Sequence, residues 1–278
     1  MNAEGAARGA KILVFDSGLG GLTVLAAIAR ARPDAELIYA ADDAFFPYGA
    51  LGEAALVARV GAVMASLIER HAPDLAVIAC NTAATLALPP LRAAFPGLPF
   101  VGTVPAIKPA AEASRTRLVS VLATPGTVAR DYTRALVRDF AGDCRVTLVG
   151  SALLAGLAEA FLRGEAIDEA EVAREIAPCF VARDDRRTDH VVLACTHFPL
   201  LMEPFARLAP WPVEFVDPAP AIGRRVDALL GERGAPGARQ TVWPAIFTSG
   251  RPPSAELQKA LRRYGLTATS AGERAAAV

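Results

Sequence analysis

Two segments of the chain repeat one pattern: Asp74-Leu-Ala-Val-Ile-Ala-Cys80-Asn-Thr and Asp189-His-Val-Val-Leu-Ala-Cys195-Thr-His. Each is an aspartate, a short apolar run containing β-branched residues, a cysteine and two hydrogen-bonding side chains. Such a run reads as a strand buried on both faces, the kind a parallel sheet uses. The cysteine then sits at the strand's carboxyl end, the edge of an open α/β sheet where ligands bind. Two such units imply two similar half-molecules, each offering one thiol to a shared cleft. Two thiols facing one substrate can take a proton from one side of a carbon and return one to the other.

Strands and helices alternate almost throughout, as parallel α/β construction requires. A strand at Lys11 to Phe15 leads through Asp16-Ser-Gly-Leu-Gly-Gly21 into a helix ending near Arg32. A second strand, Leu37 to Ala41, is followed by a loop with Phe46-Pro-Tyr-Gly49, a long helix from about Gly52 to Arg70 and the first cysteine strand. Pro89 and Pro90 weaken the helix after it, and Leu98 to Gly102 makes a short strand. The order restarts near Thr103. A strand at Leu118 to Leu122 ends in Thr124-Pro-Gly-Thr127, where the first half had Asp16-Ser-Gly. A strand at Arg145 to Val149 and helices near 151–162 and 167–181 precede the second cysteine strand.

A strand at Val213 to Val216, a helix from Ala219 and a strand at Val242 to Phe247 have no counterpart in the second half, so the chain is expected to return to its first domain. The expected fold is α/β, with two pseudo-symmetric domains, each a mainly parallel open sheet flanked by helices, and the active site in the cleft between them. Residues 1–102 and 212–278 form the first domain, with Cys80; residues 103–211 form the second, with Cys195. Both crossings, near Gly102 to Pro105 and Pro210 to Pro212, are proline-rich, as linkers often are. A length of 278 residues suits two domains.

Hydrophobic residues make up 53%, enough for sheets covered on both faces, and 29 basic residues balance 29 acidic ones. No basic run suggests nucleic acid or a membrane surface, and no apolar stretch approaches a membrane span. The alanine- and glycine-rich lead lacks the apolar core of a secretory signal, so a cytoplasmic protein is expected. The four cysteines never form Cys-x-x-Cys, and free thiols are expected. Cys144 and Cys179 read as small core hydrophobes.

Gly18-Leu-Gly20-Gly21 is only a partial dinucleotide fingerprint, because Thr23 stands where the third glycine belongs. Its backbone and free helix N–H groups would suit a carboxylate. Asp16 and Ser17 read either as a turn and cap or as partners for a thiol or an ammonium group. Asn81, Thr82 and Thr196 read either as helix caps or as donors to an amino acid's charged groups. His197, two residues beyond Cys195, is placed to assist that thiol, whereas His71 and His190 read as structural. Zinc would need Cys80, Cys195 and His197 to converge without the usual close-spaced pairs. None of Lys11, Lys108 and Lys259 looks placed for a pyridoxal Schiff base, and the serine-hydrolase elbow is absent.

At Asp16-Ser-Gly-Leu-Gly-Gly, Pro47-Tyr-Gly49, Ala79-Cys-Asn-Thr82 and Ala194-Cys-Thr-His-Phe-Pro199 the sequence resembles the glutamate racemase family. The resemblance implies an isomerase of two α/β domains that uses no cofactor, works as a homodimer and makes D-glutamate for peptidoglycan. It matches Cys80 and Cys195 to the two catalytic cysteines, Cys80 deprotonating D-glutamate and Cys195 L-glutamate. It matches Asp16, Ser17, Tyr48, Gly49, Asn81, Thr82, Thr196 and His197 to substrate-binding positions, and Thr124 to a carboxylate-binding one. Asp16 and His197 match helpers of the two thiols, and Glu159 matches a helper carboxylate. Two other readings stay open. Aspartate racemases share the two-cysteine plan but typically follow the second cysteine with Thr-Glu, not Thr-His. A non-catalytic amino-acid binder on this scaffold would need neither thiol.

Overall fold

The computed structural model describes residues 9–232 and 242–269. The lead before residue 9 and the tail beyond 269 lie outside the described residues. The chain divides into two compact units, Met1–Thr103 with Ala219–Val278, and Val104–Pro218.

Among the described residues the first unit is built on six parallel strands. In chain order they are β1 (Lys11–Asp16), β2 (Glu36–Ala41), β3 (Leu75–Ile78) and β4 (Phe100–Gly102), with two more from the returning segment, Trp243–Phe247 and Leu266–Ala268. Across the sheet the order runs β4, β3, β1, β2, Trp243–Phe247, Leu266–Ala268. Between β1 and β3 the winding changes direction, so the carboxyl ends of those two strands flank the switch point where α/β sheets hold ligands. The helices are α1 (Leu22–Ala31), α2 (Glu53–His71) and α3 (Asn81–Ala94). Inward residues of α2 and α3, among them Leu56, Val60, Met64, Ala83 and Leu91, bury one sheet face with Leu13, Phe15, Ile38 and Ile78. The helix runs through Pro89 and Pro90 without breaking. The prolines leave the carbonyls of Thr85 and Leu86 without their usual amide partners, and burial of Ala83, Ala84, Ala87 and Leu91 holds the helix in place.

The second unit holds β5 (Leu118–Ala123), β6 (Arg145–Gly150), a two-stranded antiparallel hairpin β7 (Ala182–Arg183) and β8 (Arg186–Arg187), then β9 (His190–Ala194) and β10 (Glu214–Val216). Its main sheet is parallel, in the order β10, β9, β5, β6. That order repeats β4, β3, β1, β2 strand for strand. The expected return to the first domain at Pro210–Pro212 is therefore corrected. The strand near Val213 pairs with β9 as the counterpart of β4, and the chain leaves this unit only after Pro218. Edge pairing decided this: a three-residue strand joins whichever sheet edge it reaches, and proline content does not say which. Helices α4 (Ile107–Ala113), α5 (Pro125–Ala129) and α6 (Asp131–Phe140) precede β6. Then come α7 (Leu154–Leu162), α8 (Glu169–Ile176) and α9 (Met202–Leu208). One face packs Val119, Val121 and Val192 with Ile107 and Ala110; the other packs Leu122, Val191 and Leu193 with Leu154, Val172, Ile176 and Phe205.

Helices α10 (Ala219–Leu230) and α11 (Ala255–Arg263) complete the first unit, α10 against α1. A Cβ on Gly223 would lie 2.8 Å from the Ala27 carbonyl oxygen, so the close approach of α10 to α1 requires glycine there. Strands β11 (Trp243–Phe247) and β12 (Leu266–Ala268) are the two added beside β2.

The aspartate that opens each repeated segment anchors its strand. Asp74 accepts the Lys11 backbone N–H at 2.8 Å, tying the start of β3 to that of β1. Asp189 accepts the Ser114 hydroxyl at 2.7 Å and the backbone N–H groups of Arg115 and Thr116 at 2.8 and 3.1 Å, just ahead of β5. Among the described residues no helix is long and apolar enough to cross a membrane.

Candidate active site

In the first unit, Asp16 is the last residue of β1 and Cys80 follows β3 as the extended residue capping α3. The Cys80 sulfur therefore stands at the positive end of a helix dipole, a place that favours negative charge. Ser17 donates its hydroxyl to that sulfur at 3.5 Å. Asp16 is fully buried, and its Oδ2 accepts the backbone N–H groups of Gly18 and Gly21 at 3.3 and 3.0 Å. Gly21 is needed there, because a Cβ would lie 2.8 Å from that of Asp16. The carboxylate expected to suit the glycine loop is, in part, the chain's own.

Asn81 and Thr82 open α3 directly after the thiol, both buried. Asn81 is 2% exposed, and neither its Oδ1 nor its Nδ2 has a hydrogen-bond partner among the described residues. A buried amide in that condition costs about 1–3 kcal/mol unless an external molecule completes it. It is a donor and an acceptor side by side, next to the thiol, as an amino acid's carboxylate and ammonium would use.

Tyr48 and Gly49 lie on a single 3-10 turn, Tyr48–Ala50. The Tyr48 hydroxyl points to Asp42, donating at 2.5 Å, and burial with the Asp42 charge raises its pKa far above the ordinary range. What this turn presents is therefore its backbone around the half-buried Gly49, with the phenol engaged elsewhere. Asp42 and Arg59 escaped notice in the sequence. Arg59 donates to both Asp42 oxygens, at 2.9 and 2.6 Å. Burial works to raise the Asp42 carboxyl, but bonds from Arg59, Thr248 and Tyr48 outweigh it and hold the group below the usual carboxylate range. One signal was available: Asp42 directly follows β2, at the sheet edge where Asp16 ends β1.

In the second unit, Cys195, Thr196 and His197 make the turn between β9 and a 3-10 turn at Phe198–Leu201, all three buried. The Cys195 sulfur lies 3.9 Å from His197 Nδ1. His197 Nε2 is 3.1 Å from Glu159 Oε1, and the other Glu159 oxygen accepts from Arg163 Nη1 at 3.1 Å, one turn along α7. A proton held on Nε2 toward Glu159 leaves Nδ1 with a lone pair facing the thiol, able to accept its proton. Thr124 caps α5 at the end of β5, its Oγ1 accepting the Thr127 N–H at 3.3 Å and lying 3.0 Å from the Thr127 hydroxyl.

All four cysteines are free. Burial pushes the Cys179 thiol up to about 12. Cys144 is half-buried and packs against the edge of the core expected to enclose it, and burial together with Asp143 raises its pKa. Neither suits base chemistry near neutral pH. The fold thus gathers Asp16, Ser17, Cys80 and Asn81 in one unit, and Glu159, Cys195 and His197 in the other.

Residues 16–226 match the Asp/Glu/Hydantoin racemase family. The chain is 55% identical over 260 residues to a glutamate racemase of Sinorhizobium fredii, covering 94% of this chain and 97% of that protein. It is 52% identical over 255 residues to one of Brucella canis, covering 92% of each. Among solved structures, glutamate racemase of Escherichia coli in complex with L-glutamate and the activator UDP-MurNAc-Ala superposes with a TM-score of 0.85. The two share 41% identity, over 94% of this chain and 98% of that one. Glutamate racemase of Aquifex pyrophilus gives a TM-score of 0.68 at 27% identity, over 91% and 94%.

Proposed function

The chain belongs to the Asp/Glu/Hydantoin racemase family, and on that premise we propose that it interconverts L- and D-glutamate by two-base proton transfer between Cys80 and Cys195. The observation that carries this reading is the matched pair of buried thiols after β3 and β9, each with a polar partner at its sulfur. The 52–55% identity to proteins named glutamate racemase supports the substrate.

The α-proton of an amino acid is far less acidic than any side chain, so its removal needs a placed base, a dry site and hydrogen bonds to the carboxylate where charge builds. From D-glutamate, the Cys80 thiolate takes the α-proton and the Cys195 thiol gives its own to the opposite face. The charge then rests on Cys195, which begins the reverse reaction. Ser17 and Asp16 assist the first thiol, and His197 with Glu159 the second. Asn81, Thr82, Thr196, the Gly49 backbone and Thr124 divide the two carboxylates and the ammonium between them. No step asks for a cofactor. The product serves peptidoglycan synthesis in the cytoplasm, and the working form is a homodimer.

Glutamate is preferred to aspartate because donors set at a fixed depth go unpaired when the distal carboxylate moves by one methylene. The test is circular dichroism of both substrates with solvent deuterium as label, on protein dialysed against a chelator. Inversion of glutamate with α-deuteration, at kcat/KM more than about tenfold above aspartate, is the expected result. Equal turnover of both would defeat the assignment. Binding of glutamate without exchange would make the protein a binder, and activity lost on dialysis and restored by zinc would overturn the thiol mechanism.

A further inference from the structure

The loop from Asp42 to Leu51 is held by residues far away in sequence. Asp42 is fully buried and takes four side-chain hydrogen bonds: two from Arg59, one from Tyr48 and one from Thr248 at 2.5 Å. The next residue, Asp43, accepts the backbone N–H and the hydroxyl of Ser249, at 2.9 and 2.5 Å. Thr248 Oγ1 also accepts the Ala44 N–H at 3.3 Å, and the Arg59 guanidinium lies over the Phe45 ring at 4.2 Å. The side chains of Arg59 and Thr248, with Ser249, therefore fix the loop at several points from outside it, Thr248 and Ser249 from the segment after β11.

This arrangement is a poor way to gain stability. Ala44, Phe45 and Pro47 are exposed, so the part of the loop that Thr248, Ser249 and Arg59 grip buries little apolar surface, and the loop's core contact comes later, from Tyr48 and Leu51. A buried charged cluster is no more stabilising than apolar packing of the same volume. What such a cluster does supply is a single geometry. Its anchor, Asp42, is joined to the site by its own backbone N–H, which donates to the Asp16 carbonyl at 2.8 Å. The Tyr48 hydroxyl carries that fixed position to the turn bearing Gly49.

We infer that Asp42, Arg59 and Thr248 are positioning residues that set the Tyr48–Gly49 turn for substrate, so that the returning segment of the chain governs glutamate affinity. This rests on the glutamate reading above. The turn needs no movement on binding, and its cost of ordering has already been met in folding. Loss of the Thr248 hydroxyl leaves Asp42 Oδ1 to Arg59 alone and takes from the Ala44 N–H its Thr248 acceptor, loosening the turn without touching either thiol.

The experiment compares wild type with Thr248→Val and Thr248→Ser, measuring kcat and KM for both enantiomers and the melting temperature. The valine variant is expected to raise KM about tenfold, the loss that goes with a hydrogen bond to a charged group. Its kcat is expected to stay within about twofold, and serine to restore KM. Arg59→Lys, which keeps the charge but loses the two-pronged fork, is expected to raise KM in the same way and serves if the valine variant fails to fold. A lower melting temperature with KM unchanged in both Thr248→Val and Arg59→Lys would reduce the cluster to a structural one and overturn the inference alone. A wild type inert toward glutamate in the same assay would bring down the functional reading with it.

Discussion

Cys80 follows β3 with the Ser17 hydroxyl 3.5 Å from its sulfur, whereas Cys195 follows β9 with a histidine nitrogen 3.9 Å away and a carboxylate behind that histidine. The backbones are alike: equivalent strand orders, an aspartate tying each cysteine strand to its neighbour, a thiol at the same strand end. The partners are not. A hydroxyl can only hold a thiolate, while an imidazole can also take the proton from a thiol. The two units place the thiol alike and differ in the side chain set at its sulfur, Ser17 from the loop after β1 in one and His197 from the turn after β9 in the other.

The sharpest way to break this comparison is to remove one thiol at a time. Cys80→Ser and Cys195→Ser are each expected to lower racemisation by about 10³-fold or more, the upper part of the range for a lost acid–base group. The half-reactions should separate: Cys80→Ser retains slow deuterium exchange into L-glutamate without inversion, and Cys195→Ser the same for D-glutamate. Nuclear magnetic resonance of the α-proton reads both. Retained inversion at the wild-type rate in either variant would end the two-base scheme.

Asn81 tests whether the first unit keeps a polar group for substrate at the expense of stability. Replacing its unpartnered amide by the similarly sized leucine removes a desolvation penalty of about 1 kcal/mol. Thermal unfolding should therefore shift up by about 2–4 °C, while kcat/KM for glutamate falls about a hundredfold. A variant that loses stability would show that the amide is satisfied within the fold.

The second unit's relay is expected to give a smaller effect. Glu159→Gln keeps the shape but removes the charge facing His197, and kcat/KM should drop about tenfold. Because the two substrates are mirror images of equal free energy, that drop must be the same in both directions. The asymmetry between units should surface in kcat and in the pH profile, read from full progress curves for each enantiomer. An unchanged pH profile would detach Glu159 from the thiol.

The smallest expected effect concerns the aspartates at the other end of the strands. Burial alone would raise the Asp189 carboxyl, but bonds from His190, Ser114 and the backbone of Thr116 and Arg115 outweigh it and hold it well below the usual range. A depressed pKa contributes stability that is present above the unfolded value, near ~3.9, and is lost as pH falls toward the folded one. Asp189→Asn should thus lower stability by about 1–2 kcal/mol at neutral pH. In urea titrations the gap to wild type should close as the pH drops below about 4, with KM untouched. A gap that widened in acid would reverse the assignment.

Much of this was legible in residues 74–82 and 189–197, because an apolar run that ends in a polar cluster states locally both a buried strand and its functional end. The strand, its direction relative to the thiol and the pairing of Cys195 with His197 all follow from short-range spacing. Glu159 needed more. It lies 38 residues from His197, and only the packing of α7 beside the turn after β9 brings the two to 3.1 Å. Tyr48 shows the converse, since its place beside the site was readable while the engagement of its hydroxyl by Asp42 was not.

By itself the sequence determined the class of fold, the alternation of elements, the duplication and the two thiols, since these are written in patterns no longer than one strand and its following turn. Only the tertiary structure decided which sheet the strand at Glu214–Val216 joins, and that Thr248, 206 residues away, closes over Asp42. Hydrophobic periodicity marks what a segment becomes, whereas strand order and polar networks depend on where the whole chain path delivers an edge or a hydroxyl. That path is a property of the packed layers, and no local pattern encodes it.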